Sequence, residues 1–135
     1  MRTTETPARV IATPAALDLI ERLRRQHGDL LFHQSGGCCD GSAPMCYPRG
    51  EFLVGDGDVR LGEIGGAPFY IGAAQFDYWK HTQLLIDVVP GQGGMFSLDN
   101  GSGSRFLTRS RLFTDAELAL LPPAATASEL GQPGL

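Results

Sequence analysis

Three cysteines and one histidine crowd a single stretch of this chain. They are His33, Cys38, Cys39 and Cys46, within Phe32-His33-Gln34-Ser35-Gly36-Gly37-Cys38-Cys39-Asp40-Gly41-Ser42-Ala43-Pro44-Met45-Cys46-Tyr47, and the chain has no other cysteine. Thiolates and a neutral imidazole are the donors that zinc, copper, iron and iron–sulfur clusters accept, and one His with three Cys completes a tetrahedral site. Cys38 and Cys39 are adjacent, whereas zinc ligands are usually separated by about two to four residues. Both can face one metal only across a bent backbone, and Gly36, Gly37 and Gly41 are the residues that would permit the bend. The same thiols support a second chemistry. A vicinal disulfide between Cys38 and Cys39 would be strained and easily reduced, with Cys46 as resolving thiol, and either Cys38 or Cys39 could add as a nucleophile to an aldehyde carbonyl. The third reading is a turn whose small thiols simply pack.

Other residues carry weaker signals. His33 is either a ligand or a rim residue at a strand end, and His81 a surface or core histidine that the fold could bring to the loop. Asp40 suits a turn, a partner for His33 or a hard ligand, while His27 suits a helix-end cation. Phe76, Asp77, Tyr78 and Trp79 read as core cover or as the wall of an organic pocket. Gly91-Gln92-Gly93-Gly94 lacks the Lys and Ser/Thr of a phosphate cradle and reads as a turn. No Ser, His and acid grouping sits in a nucleophile elbow, so hydrolase chemistry has no support and no catalytic residue is assigned.

The elements that must position the loop are legible to different degrees. Thr13 caps a helix with Pro14 at its first position, and Ala16, Leu19, Ile20 and Leu23 fall on one face. Arg24 and Arg25 favour its carbonyl end and Gly28 stops it. Residues 30–33 read as a strand, 34–50 as a long polar loop and 51–55 as β-like. Asp56-Gly57 and Gly65-Gly66 are turns bounding strands at 59–64 and 68–71, in what looks like an antiparallel meander. Residues 73–80 form either a helical turn or an aromatic corner. Residues 82–89 alternate as a strand, and 95–98 and 105–113 flank a turn at 100–104. Thr114 and Glu117 make a capping box, with Phe113 against Leu118 as staple, for a short helix that Pro122-Pro123 ends. Val10-Ile11 is a candidate edge strand.

At 135 residues with 42% hydrophobic content the chain supports one core. The expected organisation is a loose arm at 1–12, one globular domain at 13–121 and a flexible tail at 122–135. A net charge of −4 provides no general field for nucleic acid or an anionic membrane. No apolar run approaches the roughly 20 residues of a membrane span, and the N-terminus lacks a secretory apolar stretch, so the expected compartment is the cytoplasm. Three clustered cysteines do not make a disulfide scaffold. The expected fold class is α+β, mainly β: a compact, sandwich-like domain of antiparallel or mixed sheets with one N-terminal amphipathic helix and a short C-terminal helix.

Two resemblances follow from these residues. Thr13-Pro14-Ala15-Ala16, Gly36-Gly37-Cys38, Gly65-Gly66-Ala67-Pro68-Phe69-Tyr70-Ile71, Phe76-Asp77-Tyr78 and Met95-Phe96-Ser97-Leu98 resemble the A-type iron–sulfur carrier (HesB-like) fold over roughly residues 13–106. That resemblance implies a helix packed on strands and matches Cys38 to the carriers' Gly-Gly-Cys cysteine. Ser102-Gly103-Ser104 stands where carriers have Cys-Gly-Cys. More closely, residues 33–42 with Pro44 and Cys46 resemble an uncharacterised bacterial domain-of-unknown-function family often encoded beside aldehyde dehydrogenases, which implies an accessory role near aldehyde metabolism. The expectation is a small, non-enzymatic metal-binding accessory protein. It would hold zinc, copper, iron or an iron–sulfur cluster through Cys38, Cys39, Cys46 and His33, with an aldehyde dehydrogenase or other enzyme as partner. A homodimer would suit a cluster shared between subunits. The rival expectations are a thiol-redox or aldehyde-reactive protein using Cys38 or Cys39, and a metal-free docking partner.

Overall fold

The computed structural model describes residues 8–34, 44–49, 57–91, 97–99, 101–121 and 124–126. After strand β1 (Val10–Ala12), helix α1 (Pro14–His27) begins where the Thr13 side chain accepts a hydrogen bond from the Ala16 N–H at 3.2 Å. The Thr13 hydroxyl also donates to Asp87, and the Thr13 N–H to the Ile86 carbonyl. The cap thus fastens the helix to a strand more than seventy residues away in sequence. Ala16, Leu19, Ile20 and Leu23 are buried, and Gly28 ends the helix at φ +84°. His27 lies in the last turn, where a cation opposes the carbonyl end of the helix dipole.

The remaining elements are β2 (Leu30–Gln34), β3 (Met45–Pro48), β4 (Val59–Ile64), β5 (Ala67–Ile71), α2 (Ala73–Trp79), β6 (Thr82–Pro90), β7 (Ser104–Leu112), α3 (Asp115–Leu120) and β8 (Ala125–Thr126). They make two open sheets in the orders β1-β6-β7 and β3-β2-β5-β4-β8. Each sheet is mixed: β1 runs parallel to β6 and β2 parallel to β5, while the other pairs are antiparallel. The protein is therefore α+β and mainly β. Between the sheets, Phe32 stacks on Phe69 at 5.8 Å and meets Phe106 edge-on at 5.0 Å, with Leu84 and Ile86 from β6 and Ile20 from α1 in the same core.

The elements differ from the sequence reading where alternation is short. Residues 34–50 contain β3, a four-residue strand paired to β2, because Cys46 and Pro48 take one face while Met45 and Tyr47 take the other. Ser97, Leu98 and Asp99 form a turn, and the expected strand at 51–55, like residues 95 and 96, lies outside the described residues. The 73–80 alternative resolves to a helix, with Trp79 buried. Thr114 and Glu117 form the expected reciprocal capping box. β8 falls within 122–135 and pairs with β4. Among the described residues no helix is long and apolar enough to cross a membrane.

The β4–β5 hairpin turns on two residues, Gly65 and Gly66, at φ +57° and +82°. A tight two-residue turn with positive φ at both positions suits glycine. A Cβ on Gly65 would also lie 2.8 Å from Ile20 Cγ2, whereas one on Gly66 would meet only Arg24 Nη1 at 3.7 Å. Gly65→Ala will therefore destabilise the fold by about 2 to 4 kcal/mol, against about 1 to 2 kcal/mol for Gly66→Ala, in denaturant unfolding. Equal costs would show that the Ile20 contact is not made.

Candidate functional site

β2 holds two kinds of side chain because its residues alternate between two faces. Leu30, Phe32 and Gln34 turn toward the core. The Thr108 hydroxyl on β7 donates to the buried Gln34 Oε1 at 2.8 Å, tying the end of β2 to the opposite sheet. Leu31 and His33 take the outer face.

The outer face carries a row of cross-strand neighbours: Met45 on β3, His33 on β2, Tyr70 on β5 and Arg60 on β4. His33 is 6% exposed and its Nε2–H donates to Asp58 Oδ2 at 2.9 Å. A carboxylate on one ring nitrogen fixes the tautomer and the orientation of the ring, as it does in metal-ligating histidines. Tyr70 is fully buried. Burial pushes its phenol up and Asp58 adds to this, while the Arg60 and Arg49 charges oppose. Leu31 and Tyr47 cluster with Tyr70 alongside this row. The result is a polar, sheltered patch at the base of the loop that joins β2 to β3, since His33 and Met45 are register partners at its two ends.

Cys46 is on the other face. It pairs with Phe32, one position from His33, and therefore projects into the core, where it is 0% exposed. Its N–H donates to Ser97 Oγ at 2.9 Å, the Ser97 hydroxyl donates to Asp99 Oδ1, and Asp99 Oδ2 accepts from the Phe106 N–H at 2.9 Å. Burial, and then the Asp99 charge, push the Cys46 thiol far above its ordinary range. A thiol held protonated is neither a ready ligand nor a ready resolving thiol. Native protein at pH 8 will leave Cys46 unmodified by iodoacetamide, and denatured protein will be labelled there. Peptide mass spectrometry reads this directly, and rapid native labelling of Cys46 would contradict its burial.

Of the four expected ligands, the structure thus places His33 and Cys46 on opposite faces, and Cys38 and Cys39 lie outside the described residues, as does Asp40. Among the described residues no three His, Cys, Asp or Glu converge as a metal site. His81 lines a separate cleft with Arg9 and Phe76. Ser102 lies in the turn before β7 and Ser104 is the first residue of that strand, and the Ser102 hydroxyl bonds locally to the Asp99 and Ser104 carbonyls. The sequence reading missed Asp58 and Tyr70. A lone acid two residues after Asp56 in the sequence carries no motif, and only the pairing of β2, β5 and β4 brings it to His33.

Residues 19–112, more than half of the chain, match a family model described as Domain of unknown function (DUF779). No curated protein matches the chain.

Proposed function

The chain belongs to the DUF779 family, and from that premise and the geometry of its outer face we propose that it is a small metal-binding accessory protein. Its site would use His33 with Cys38 and Cys39 and leave Cys46 in the core. The observation that carries this reading is the His33–Asp58 pair. A sheltered imidazole already oriented by a carboxylate stands at the base of the loop that carries two adjacent thiols. His33, once its tautomer is fixed by Asp58, fits a soft or borderline metal such as zinc, copper(I) or iron. When bound, the metal would hold the loop thiols as thiolates against this face.

The Met45 side chain, on the same face as His33, adds a thioether at the loop's other end. Two thiols per chain also suit a cluster shared by two copies, in keeping with the resemblance to A-type carriers. The partner that the family resemblance suggests is an aldehyde dehydrogenase, and the role is accessory rather than catalytic.

Asp58→Asn tests the carrying observation. It preserves shape but removes the charge that orients His33, so metal affinity should fall about 10- to 100-fold in competition with a chromogenic chelator. Unchanged affinity would remove His33 and Asp58 from the site.

A further inference from the structure

β3 is an edge strand of one sheet and β7 an edge strand of the other, and one tripeptide, Ser97-Leu98-Asp99, ties the two edges together. On β3 both backbone groups of Cys46 are taken by it: the N–H donates to Ser97 Oγ and the carbonyl accepts from the Leu98 N–H, each at 2.9 Å. On β7 the Phe106 N–H donates to Asp99 Oδ2. That N–H turns away from β6. The bonds just beyond the two ends of the β6–β7 pair, Phe113 N–H to the His81 carbonyl and Gly91 N–H to the Gly103 carbonyl, put the groups that face β6 on odd-numbered residues. Asp99 Oδ1 takes the Ser97 hydroxyl, so a single carboxylate, 1% exposed, serves both edges. The Ser102 N–H and hydroxyl in turn hold the Asp99 carbonyl, at 3.1 and 2.7 Å.

The tie bears on the His33 face because β3 has little of its own to set its register. It is four residues long, and among the described strands it pairs only with β2. Its one buried side chain is that of Cys46, too small for burial alone to hold the strand against a one-residue slip. Such a slip would carry Cys46 to the face of His33 and Met45 into the core, and it would break both bonds from Cys46 to the tripeptide. We propose that Asp99 is a positioning residue for the His33 face: by holding Ser97 against Cys46 it fixes the register of β3, so that Met45 rather than Cys46 stands beside His33 where the cysteine loop ends. Its bearing on metal affinity rests on the metal site proposed above, whereas its bearing on the register stands without it.

The test is iodoacetamide labelling of Cys46 in full-length protein at pH 8, over a range of low urea concentrations, read by peptide mass spectrometry. An amide has one acceptor oxygen, so in Asp99→Asn either the Ser97 hydroxyl or the Phe106 N–H loses its partner. Labelling of Cys46 should rise about tenfold or more, at a rate that scarcely changes with urea, because β3 opens while the rest stays folded. Should Asp99→Asn fail to fold, Ser97→Ala, which keeps the Phe106 bond, must still speed the labelling. The metal affinity of the variant, measured against a chromogenic chelator, should fall about tenfold. Cys46 protected in both variants, or labelling that climbs with urea as steeply as global unfolding does, would overturn the proposal, since the tripeptide would then only add stability. A reactive Cys46 with unchanged metal affinity would overturn it too, by separating Asp99 from the site. Wild-type protein that takes up no metal would contradict the metal site instead, and the labelling would then decide the register alone.

Discussion

Replacing Cys38 and Cys39 together by serine will lower bound metal from about one ion per chain to background, while Cys46→Ala leaves occupancy unchanged. The contrast follows from which way each thiol can face. Cys46 shares a register position with Phe32 and is 0% exposed, so its thiol is sealed in the core on the opposite side of β2 from His33. Recruiting it would require a one-residue slip of β3, which would drive Met45 and Tyr47 into the core and expose Cys46 and Pro48. Hydroxyls are poor ligands for soft metals, so the loop loses both anionic donors at once in the double variant, and His33 alone cannot hold an ion. Metal analysis of the three proteins, each purified without added chelator, reads the result. Loss of metal in Cys46→Ala, with the fold retained, would mean that the β2–β3 register is wrong.

Phe32→Ala will cost about 3 to 5 kcal/mol of stability, at the upper end for truncation of a single core side chain. Phe32 is fully buried, stacked on Phe69, edge-on to Phe106, and opposite Cys46. Its ring therefore fills the space between the two sheets at the point where β2, β3, β5 and β7 converge. The rings of Phe69 and Phe106 are held by their own strands and cannot close the gap, and Cys46 is too small to fill it. Single domains have net stabilities of about 5 to 15 kcal/mol, so the loss is a large fraction of the whole. Denaturant unfolding measures it, and a cost below about 1 kcal/mol would place the Phe32 ring outside the core. Because His33 follows Phe32 on the same strand, the variant should also bind metal less tightly.

The parts of the fold that were legible in the sequence are those whose signals are local. The Thr13 cap, the Ala16, Leu19, Ile20 and Leu23 stripe and the Gly28 stop specify α1 without reference to anything else. The Gly65-Gly66 turn and the Thr114–Glu117 box are equally self-contained. β3 was hidden because four residues alternate too briefly to stand out from a polar, glycine-rich stretch, and its strand character comes from pairing with β2. The candidate site was half legible for the same reason. The concentration of Cys and His is visible in composition, but the division of His33 from Cys46 is a matter of parity along a strand that the sequence does not announce. The His33–Asp58 pair spans 25 residues and exists only once β2, β5 and β4 are side by side.

Whether this chain carries a metal on the His33 face is decided by elemental analysis, with an absorption spectrum, of full-length protein purified under anaerobic conditions and without an affinity metal. About one zinc, copper or iron per chain is expected, with visible absorption and acid-labile sulfide only if the bound form is a cluster. Colourless, metal-free protein that stays empty when offered zinc, copper(I) and iron(II) would refute the metal site.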